Sequence, residues 1–220
     1  MSIHARALIT GATSGIGAAF ARELPDRTSV LLTGRNRRKL EEMRDSLSGA
    51  EREVAVVEAD LSDPADRDRL AARAEAFAID LLINNAGVGA YGPVLDSEAA
   101  AERTTAEVNV VAVVDLTARL LPGMIERATR RRRAGLINVS STLAFQPTPF
   151  LATYAASKAF VLMYTQALAA ELRHEPVDVL TLCPGATRTA FGRRAGFGPG
   201  NLPGADEPRE VARQALRALG

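Results

Sequence analysis

A tyrosine and a lysine four positions apart are the residues in this sequence best suited to acid–base chemistry. They stand in the segment Tyr154-Ala155-Ala156-Ser157-Lys158, and on a helix this spacing places both side chains on one face. A phenol with an ordinary pKa of ~10 is a poor base at neutral pH, and we expect the nearby ammonium to lower that pKa. Ser141, thirteen residues before the tyrosine, could hold a substrate oxygen beside the phenol.

A Tyr/Lys pair at this spacing also occurs on exposed helices without any function. Two features favour the chemical interpretation here. The neighbours, including Ala155 and Phe160, make the helix face crowded and partly apolar. Lysine is also nearly absent elsewhere, since Lys39 is the only other lysine among 27 Lys and Arg residues. The two histidines offer no competing mechanism, so the pair is our candidate for proton transfer.

A glycine-rich turn near the amino terminus has the pattern of a dinucleotide-binding site. It reads Thr10-Gly11-Ala12-Thr13-Ser14-Gly15-Ile16-Gly17 and separates a strand-like run from a helix-like segment. Gly11 permits a tight exit from the strand, Gly15 lets the main chain approach a pyrophosphate, and Gly17 lets helix and strand pack closely. Free N–H groups at the helix start would bind the phosphates. A plain tight turn is the alternative interpretation.

The end of the second predicted strand indicates which dinucleotide such a site would take. A site that selects NAD normally has Asp or Glu here, which accepts from the ribose 2′-hydroxyl. The sequence reads Thr33-Gly34-Arg35-Asn36-Arg37-Arg38, with no acid before Glu41. A carboxylate would repel a 2′-phosphate, whereas the planar fork of Arg35 suits it. We therefore expect NADP(H) in preference to NAD(H); an incidental arginine is the alternative in this arginine-rich chain.

Two further strand ends carry side chains that could face an adenosine. Asp60-Leu61 closes the third predicted strand, where side chain and backbone could meet an adenine edge, and a solvated turn is the alternative. Asn84-Asn85-Ala86-Gly87 closes the fourth. Its short amides could either connect neighbouring loops or line the adenosine channel.

Apolar β-branched runs alternate with helix-period segments along the chain. The predicted strands are Ala5–Thr10, Ser29–Thr33, Val54–Glu58, Leu81–Asn84, Leu136–Ser140 and Val177–Leu182. The predicted helices are Gly15–Leu24, Arg37–Ser48, Pro64–Ala76, Ser97–Arg130, Thr153–His174 and Glu207–Leu219. This alternation predicts an α/β fold with a doubly wound parallel sheet, a Rossmann fold. Such a sheet binds its ligand at the carboxyl ends of the strands, where the motifs above lie.

Composition indicates one ordinary globular domain over residues 1–220. The net charge is +1, and the single cysteine, Cys183, has no partner within the chain, so we expect no nucleic acid, membrane or metal as a partner. The basic run Arg130–Arg133 is interpreted as a solvated helix end or turn. No apolar run reaches the ~18 residues that span a bilayer. No signal-peptide pattern opens the chain, and a cytoplasmic location is expected.

Taken together, these motifs resemble those of the short-chain dehydrogenase/reductase family. The resemblance extends from Ala5 to about Thr189 and includes the glycine-rich turn, Asp60, Asn85-Ala86-Gly87 and Ser141 with the Tyr/Lys pair. Arg35 matches the basic position of NADP-preferring members. The resemblance implies an NADP(H)-dependent oxidoreductase that moves a hydride between the nicotinamide and a carbonyl/alcohol pair. The tyrosine would be the acid/base, and the lysine would also fix the nicotinamide ribose.

The resemblance assigns roles to residues that the patterns alone leave unassigned. Asn109 matches a helix asparagine that holds a proton-relay water beside the lysine. Pro184-Gly185-Ala186-Thr187-Arg188-Thr189 looks like the turn after the sixth strand. There the Thr187 backbone and the Thr189 hydroxyl would hold the carboxamide and phosphates of the cofactor. Ser14 stands where another NADP-using subgroup has a basic residue.

The stretch after this turn predicts a lid over the substrate. Residues 190–206 are rich in Gly and Pro, a composition typical of mobile loops. The candidates for an apolar wall are Phe191 and Phe197 in the lid and Leu143, Phe145 and Phe150 before the tyrosine. Simple core filling is the alternative for these side chains. We expect a small, moderately hydrophobic carbonyl compound or secondary alcohol as the substrate.

The sequence also bears on oligomeric state and on alternative functions. By resemblance, the chain would form a homodimer or homotetramer through its two longest helices. Family members usually continue into a seventh strand, and no strand is predicted after Glu207–Leu219, which leaves a sheet edge to be covered. The rival function is a catalytically silent NAD(P)-sensing regulator, against which the intact serine, tyrosine and lysine set argues. A nucleic-acid binder, based on the arginine run alone, is a distant third.

Overall fold

Six parallel strands form one sheet in this computed structural model, which describes residues 4–49, 51–196 and 204–219. The strands are β1 (Arg6–Thr10), β2 (Ser29–Gly34), β3 (Val54–Glu58), β4 (Leu81–Asn84), β5 (Ala134–Val139) and β6 (Val177–Leu182). Their order in the sheet is β3-β2-β1-β4-β5-β6. Strand order reverses beside β1, so the ends of β1 and β4 flank the crevice where such sheets bind ligands. The predicted Rossmann-type fold is confirmed.

Eight α-helices lie in the described ranges. They are α1 (Gly15–Glu23), α2 (Arg37–Leu47), α3 (Pro64–Ala76), α4 (Ala99–Ala106), α5 (Ala112–Arg127), α6 (Ala152–Glu171), α7 (Phe191–Ala195) and α8 (Pro208–Ala218). A π-helical segment, Glu107–Val111, joins α4 to α5, and short 3-10 turns occupy Val94–Asp96 and Thr142–Phe145.

Strand residues alternate between two apolar layers, one on each face of the sheet. Leu8, Leu31 and Leu82 are neighbours in register and belong to the layer that includes side chains of α3 and α5. Ile9 and Ile83, the next residues along, belong to the layer that includes α1, α2 and α8. Helices cover both faces, which explains why the strands read as continuous apolar runs.

The ends of every predicted strand agree with the structure to within two residues, whereas the longest predicted helix differs from it. Ser97–Arg130 was expected as one α-helix, but the helical stretch runs from Ala99 to Arg127 and changes to π geometry at Glu107–Val111. It ends because the backbone of Ala128 is extended, with φ −79° and ψ 160°. Helix α7 was not predicted.

The arginine run after α5 forms a turn before β5, as expected. The N–H of Thr129 donates to the carbonyl of Arg132 at 2.9 Å. Arg133 pairs with Asp178 on β6 at 2.7 Å. The other members of the run are exposed, which is typical of a solvated turn rather than of a nucleic-acid surface built on aromatic stacking.

One helical stretch is long and apolar enough to cross a membrane by length and composition, which the sequence patterns did not lead us to expect. It covers 29 residues, Ala99–Arg127, and its most apolar window has a mean hydropathy of 1.6. Half of that window is buried inside the protein. Three of its own residues, Leu116, Leu120 and Met124, belong to one of the two core layers. The core helix of a globular protein passes the same test of length and composition.

Helix α3 begins and ends on clear backbone signals. Asp63 caps its first turn by accepting from the N–H of Ala65 at 2.9 Å, as the Asp-Pro sequence predicts. After its last turn, Ala78 has φ +52°, and its N–H donates to the carbonyl of Glu75 at 2.8 Å. A left-handed alanine is strained by its Cβ, and glycine is the usual residue at such a position.

We predict that Ala78→Gly stabilises the protein. The gain is expected to be about 0.5–1 kcal/mol in the free energy of unfolding, because relief of the left-handed strain exceeds the entropy cost of glycine in the unfolded chain. Urea denaturation measures it. The matched control is Ala72→Gly on the exposed face of α3, which should lose about 1 kcal/mol. Equal destabilisation by both variants would contradict the prediction.

Candidate active site

The glycine-rich turn after β1 is built as its sequence predicts. Gly11 and Gly15 have φ of +66° and +56°, the left-handed region that favours glycine. A Cβ on Gly17 would collide with the carbonyl oxygen of Gly11 and the side-chain amide of Asn85. A Cβ on Gly15 would lie 2.9 Å from the Thr189 side chain. The residues present therefore fit a dinucleotide, whose phosphates the N–H groups at the start of α1 would bind.

The amides after β4 connect neighbouring loops, the first of the two roles that the sequence allowed. The Thr10 hydroxyl accepts from the N–H groups of Asn85 and Ala86, both at 2.9 Å. Asn85 Nδ2 donates to the Thr10 carbonyl at 2.8 Å. Asn84 points into the sheet, where its Nδ2 donates to Asn138 Oδ1 at 2.9 Å. The end of β4 thus fixes both the phosphate turn and β5.

A cavity of about 670 Å³ lies at the carboxyl ends of β2 and β3, and Arg35 and Asp60 both line it. Asp60 Oδ1 also accepts from the N–H and the hydroxyl of Ser62, at 3.0 and 2.7 Å. The Leu61 side chain is buried in the core layer with α3, where an apolar group is most stable, so a contact of Leu61 with an adenine edge would come from its main chain. Its carbonyl accepts from Arg67 at 2.7 Å. Asp60, but not the Leu61 side chain, faces this cavity.

Sequence reasoning missed other cationic residues of this cavity. Arg37, Arg69 and Arg73 line it together with Arg35. Arg69 is held by Asp66 at 2.7 Å. Because arginine is common throughout the chain, no local signal distinguishes these three positions. Glu58, Asp60 and Asp66 line the same cavity, so charges of both signs face it, with four arginines against three carboxylates.

Ser141, Tyr154 and Lys158 come together between the end of β5 and α6. The Tyr154 phenol is hydrogen-bonded to the Ser141 hydroxyl. Lys158 Nζ lies 5.7 Å from the centroid of the Tyr154 ring and donates to the carbonyl of Val139 at 2.9 Å. Lys158 is only 4% exposed, so its ammonium is not in bulk water. The three side chains that the sequence proposed for chemistry form one buried cluster.

Two small residues complete the surroundings of the lysine. The Ser140 hydroxyl donates to the main-chain carbonyl of Lys158 at 2.7 Å, which ties α6 to the end of β5. A Cβ on Gly87 would lie 3.3 Å from Lys158 Nζ and 3.5 Å from Asn109 Oδ1. Glycine at position 87 therefore lets the loop after β4 approach the ammonium closely.

Burial sets the pKa values of the tyrosine and the lysine. It raises the pKa of Tyr154 to about 12, against an opposing effect of the Ser141 hydrogen bond. Burial also lowers the pKa of Lys158 to about 8, against the attraction of Cys183. The expected lowering of the tyrosine pKa is wrong for this structure, because desolvation of the phenolate outweighs the other effects. At neutral pH the phenol is protonated and the lysine is mostly charged.

Asn109 lies in the π-helical segment and is fully buried. Its Nδ2 donates to the carbonyl of Val88 at 2.9 Å and to the Ser157 hydroxyl at 3.0 Å, and its Oδ1 accepts from the N–H of Val88 at 2.9 Å. The side chain therefore holds the loop after β4 against α6. Protein groups take both of its side-chain N–H donors, so a relay water would have to be held by an acceptor of Asn109, either Oδ1 or the main-chain carbonyl.

The turn after β6 is anchored to the loop that follows β5. The carbonyl of Pro184 accepts from the N–H of Thr142 at 3.0 Å. The Thr187 hydroxyl donates to the carbonyl of Gly185 at 3.1 Å, and Thr187 forms a parallel bridge with Asp206. Within the described ranges β6 pairs only with β5, and this bridge is where the later chain meets the turn.

Phe191 lies against the tyrosine, as predicted for a substrate-site residue. Its ring centroid is 5.2 Å from that of Tyr154. A Cβ on Gly89 would be 3.0 Å from the Tyr154 ring and 3.4 Å from the Phe191 ring. The Thr189 hydroxyl accepts from the N–H of Phe191 at 3.2 Å. Helix α7 thus begins over the phosphate turn and covers the phenol.

Phe150, two residues before α6, packs against the loop after β4 in a strained conformation. Its φ is +67°, which costs about 1–3 kcal/mol for a residue other than glycine. Its carbonyl accepts from the N–H of Gly92 at 3.0 Å, and its ring lies 5.6 Å from that of Tyr91. The N–H of Tyr91 in turn donates to the carbonyl of Ala195 at 2.7 Å. The loop after β4 therefore joins α6 to α7.

The other residues that were predicted to form an apolar wall of the substrate site are Leu143, Phe145 and Phe197, and their surroundings differ. Leu143 is half-buried, and its N–H donates to the Ser141 hydroxyl at 3.2 Å. Phe145 is 67% exposed, so it is not core filling. Phe197 lies outside the described residues. Sequence reasoning missed Tyr91, although the glycines around it indicate a loop at a strand end.

Comparisons with known proteins extend over most of the chain. The family model described as short chain dehydrogenase matches residues 5–196. A very-long-chain 3-oxoacyl-CoA reductase from Anas platyrhynchos is 35% identical over 192 residues, which are 83% of this chain and 59% of that protein. A sulfoacetaldehyde reductase 2 from Chromohalobacter salexigens is 35% identical over 187 residues, 84% of this chain and 73% of that protein. The chain thus spans less than two thirds of the first of these relatives.

Solved structures show the same fold. A short-chain dehydrogenase from Sphingobium yanoikuyae in complex with NADPH is 32% identical with a TM-score of 0.89, covering 97% of this chain and 83% of that one. A 3-ketoacyl-(acyl-carrier-protein) reductase from Brucella melitensis complexed with NADH is 30% identical with a TM-score of 0.83, covering 98% and 90%. With its sheet order, glycine turn and buried Ser/Tyr/Lys cluster, the chain belongs to the short-chain dehydrogenase family.

Proposed function

We propose that this chain is an oxidoreductase that transfers a hydride between NADP(H) and a carbonyl/secondary-alcohol pair, with Tyr154 as the acid/base. The observation that carries the proposal is the buried cluster of Ser141, Tyr154 and Lys158 next to a glycine turn fit for a dinucleotide. The relatives named above are reductases of carbonyl compounds, which supports this class of reaction.

The protonation states of the cluster favour reduction. Tyr154 has a pKa of about 12, so at neutral pH its phenol can donate a proton to a substrate oxygen. Ser141, already hydrogen-bonded to the phenol, would hold that oxygen in place. The bound nicotinamide would supply the hydride to the carbon. Once the phenol has given up its proton, the buried ammonium of Lys158 would stabilise the phenolate.

NADP(H) is proposed in preference to NAD(H). No acid follows Arg35 in sequence before Glu41. In space Arg35 lines a cavity with three other arginines and with the carboxylates of Glu58, Asp60 and Asp66. A 2′-phosphate is a dianion that a guanidinium fork binds well. Among the similar structures, one contains NADPH and another NADH, so the choice for this chain depends on its own arginines.

The substrate is proposed to be a small, moderately hydrophobic carbonyl compound. Phe150, Phe191 and Leu143 surround the approach to the phenol, and Tyr91 adds an aromatic ring that sequence reasoning missed. Such a wall favours an apolar substituent beside the carbonyl group. A silent NAD(P)-sensing regulator would need no phenol held by Ser141 over a buried ammonium, so no observation favours that rival.

We also infer a cytoplasmic homodimer or homotetramer. Phe160 and Met163 on α6 are 41% and 58% exposed, and Val111, the last residue of the π-helical segment before α5, is 39% exposed. Exposed apolar side chains on two adjacent long helices suit a contact with a second copy. The core packing of Ala99–Arg127 described above supports a location away from the membrane.

Tyr154→Phe is predicted to reduce turnover by about 100-fold or more, because the variant lacks the proton donor. NADPH oxidation with a panel of ketones and aldehydes measures turnover, and NADPH fluorescence measures binding, which should stay within about threefold. Tyr164→Phe, on the same helix but stacked on Phe160, is the control and should retain turnover. Wild-type protein that binds NADPH without oxidising it would instead support the sensor.

Arg35→Ala is predicted to weaken NADPH binding about tenfold or more and to change NADH binding by less than about twofold. The reason is the loss of charge-assisted hydrogen bonds to the 2′-phosphate alone. Fluorescence titration with both nucleotides tests it. Arg38→Ala is the control, since Arg38 is exposed and paired with Glu42 at 2.9 Å. Equal weakening of both nucleotides would show that Arg35 does not read the extra phosphate.

The buried ammonium is predicted to give the stability of the protein a specific pH dependence. The pKa of Lys158 is about 8 in the folded chain, below its ordinary 10.5, so between these values unfolding takes up a proton. The contribution of Lys158 to stability therefore rises with pH across this window. The difference in unfolding free energy between wild type and Lys158→Met should shift by about 2 kcal/mol in favour of wild type from pH 7.5 to 9.5.

Urea denaturation at several pH values measures both proteins under identical conditions. Titrating groups that do not interact with Lys158 are present in both chains and cancel in the difference. Cys183, which interacts with Lys158, is replaced by serine in both proteins. Parallel stability curves for the two proteins across the window would refute the burial of a charged lysine.

A further inference from the structure

Arg67 on α3 is a buried arginine to which neither the sequence motifs nor the proposed chemistry gives a role. It is 5% exposed, and burial of a guanidinium is costly unless acceptors replace its water. Its Nη1 donates to the carbonyl of Leu61 at 2.7 Å, and its Nε donates to Asp115 on α5 at 3.0 Å. Nη1 also lies 3.5 Å from Glu107 Oε2. One planar cation therefore contacts three separate parts of the chain.

Two of these contacts bracket the π-helical segment. Glu107 is its first residue, and Asp115 lies beyond it in the first turn of α5. The N–H of Ala112 donates to the carbonyl of Glu107, five residues back, which is the π-type hydrogen bond. Such turns are rare and occur frequently at functional sites. A guanidinium that binds a carboxylate at each end of the wide turn opposes its return to α geometry.

The π-helical segment carries Asn109. The side-chain amide of Asn109 bonds to the main chain of Val88 and to the Ser157 hydroxyl. Ser157 in turn donates to the main-chain carbonyl of Tyr154 at 2.7 Å. A return to α geometry would rotate Asn109 by about 100°, the angle that one residue occupies on an α-helix, and would break its bonds. The direction of this side chain therefore depends on the π geometry.

The third contact of Arg67 reaches the nucleotide end of the crevice. Two successive residues of α3 hold the turn after β3. Asp66 accepts from the N–H of Asp60 at 2.8 Å, and Arg67 donates to the next carbonyl, that of Leu61. The sequence predicts an adenine contact at this turn, and Asp60 lines the cavity beside it. Arg67 thus joins the turn after β3 to the π-helical segment.

We propose that Arg67 is a positioning residue for the reaction, which keeps the π-helical segment in the geometry that directs Asn109 towards α6. Its bond to Leu61 fixes that segment relative to the turn at the nucleotide end. Arg67 acts through Asn109, whose bonds hold the loop after β4 beside Lys158, rather than on the reacting groups themselves. This inference rests on the proposed function, in which Tyr154 transfers the proton.

Arg67→Met tests the inference against Arg119→Met. Arg119 is the matched control, because it also bridges α3 and α5, through Asp68 and Asp115, and neither ion pair includes the π-helical segment. In NADPH oxidation with a panel of ketones and aldehydes, Arg67→Met should lower kcat about tenfold and change KM for the carbonyl compound less than about threefold. Arg119→Met should keep kcat within about twofold of wild type.

Hydrogen exchange of the chain without nucleotide gives a readout independent of turnover. In Arg67→Met the amides of Val88 and of residues 107–112 should exchange about tenfold or more faster than in wild type, while those of β1 and β5 keep their rates. Arg119→Met should show wild-type rates in all of these segments. Should the methionine variant not fold, Arg67→Lys carries both measurements, since lysine keeps the charge but lacks the planar fork that binds several acceptors at once.

The outcomes separate this inference from the proposed function. Wild-type kcat and wild-type exchange of residues 107–112 in Arg67→Met would overturn the inference. Equal losses in Arg67→Met and Arg119→Met would also overturn it, because they would reflect only the packing of α3 on α5. Faster exchange with unchanged kcat would refute the role in the reaction. If wild type oxidises NADPH with none of the carbonyl compounds, the proposed function and the reaction role fail together, while exchange still shows whether Arg67 holds the π-helical segment.

Discussion

The burial of one lysine is the constraint on which the rest of the site depends. Moving an ammonium out of water is costly unless polar groups replace its hydration. Here the Val139 carbonyl at the end of β5 accepts from Lys158 Nζ at 2.9 Å, and the Tyr154 ring face lies within the range of a cation–π contact. The absence of a side chain at Gly87 leaves room for the ammonium. The strand β5, the helix α6 and the loop after β4 therefore all contact this one ammonium.

A row of buried polar side chains then fixes α6 over the sheet. Asn84 donates to Asn138, its register partner on β5, and Asn138 donates to the Thr165 hydroxyl on α6 at 2.9 Å. Fully paired buried groups of this kind specify one arrangement, since any shift would leave a donor unpaired in a low dielectric. Because the adjacent Asn85 holds Thr10 of the phosphate turn, the end of β4 sets the distance between the phosphate turn and the tyrosine.

The sequence alone predicted those features that depend on the local pattern of residue types. Apolar runs, glycine spacing and the Tyr/Lys interval predicted the sheet, the glycine-rich turn and the proximity of Tyr154 to Lys158. It was insufficient where burial decides: the Tyr154 pKa goes up rather than down because desolvation depends on what packs over the ring, including Phe191 from a helix that the pattern did not reveal. The arginines of the cavity beside β2 and β3 carried no local signal in a chain so rich in arginine.

The two ends of the crevice differ in burial, and the segment from Thr189 to Phe191 at the start of α7 touches both. The end beside β2 and β3 is lined by charged side chains of both signs, whereas the other end holds a neutral phenol next to a lysine that is 4% exposed. Since desolvation is the largest effect on Tyr154, its acid strength depends on how closely Phe191 and its helix cover it. Displacement of α7 would admit water and bring the pKa of Tyr154 back towards its ordinary value. Any contact that holds α7 in place therefore acts, through burial alone, on the pKa of the Tyr154 phenol.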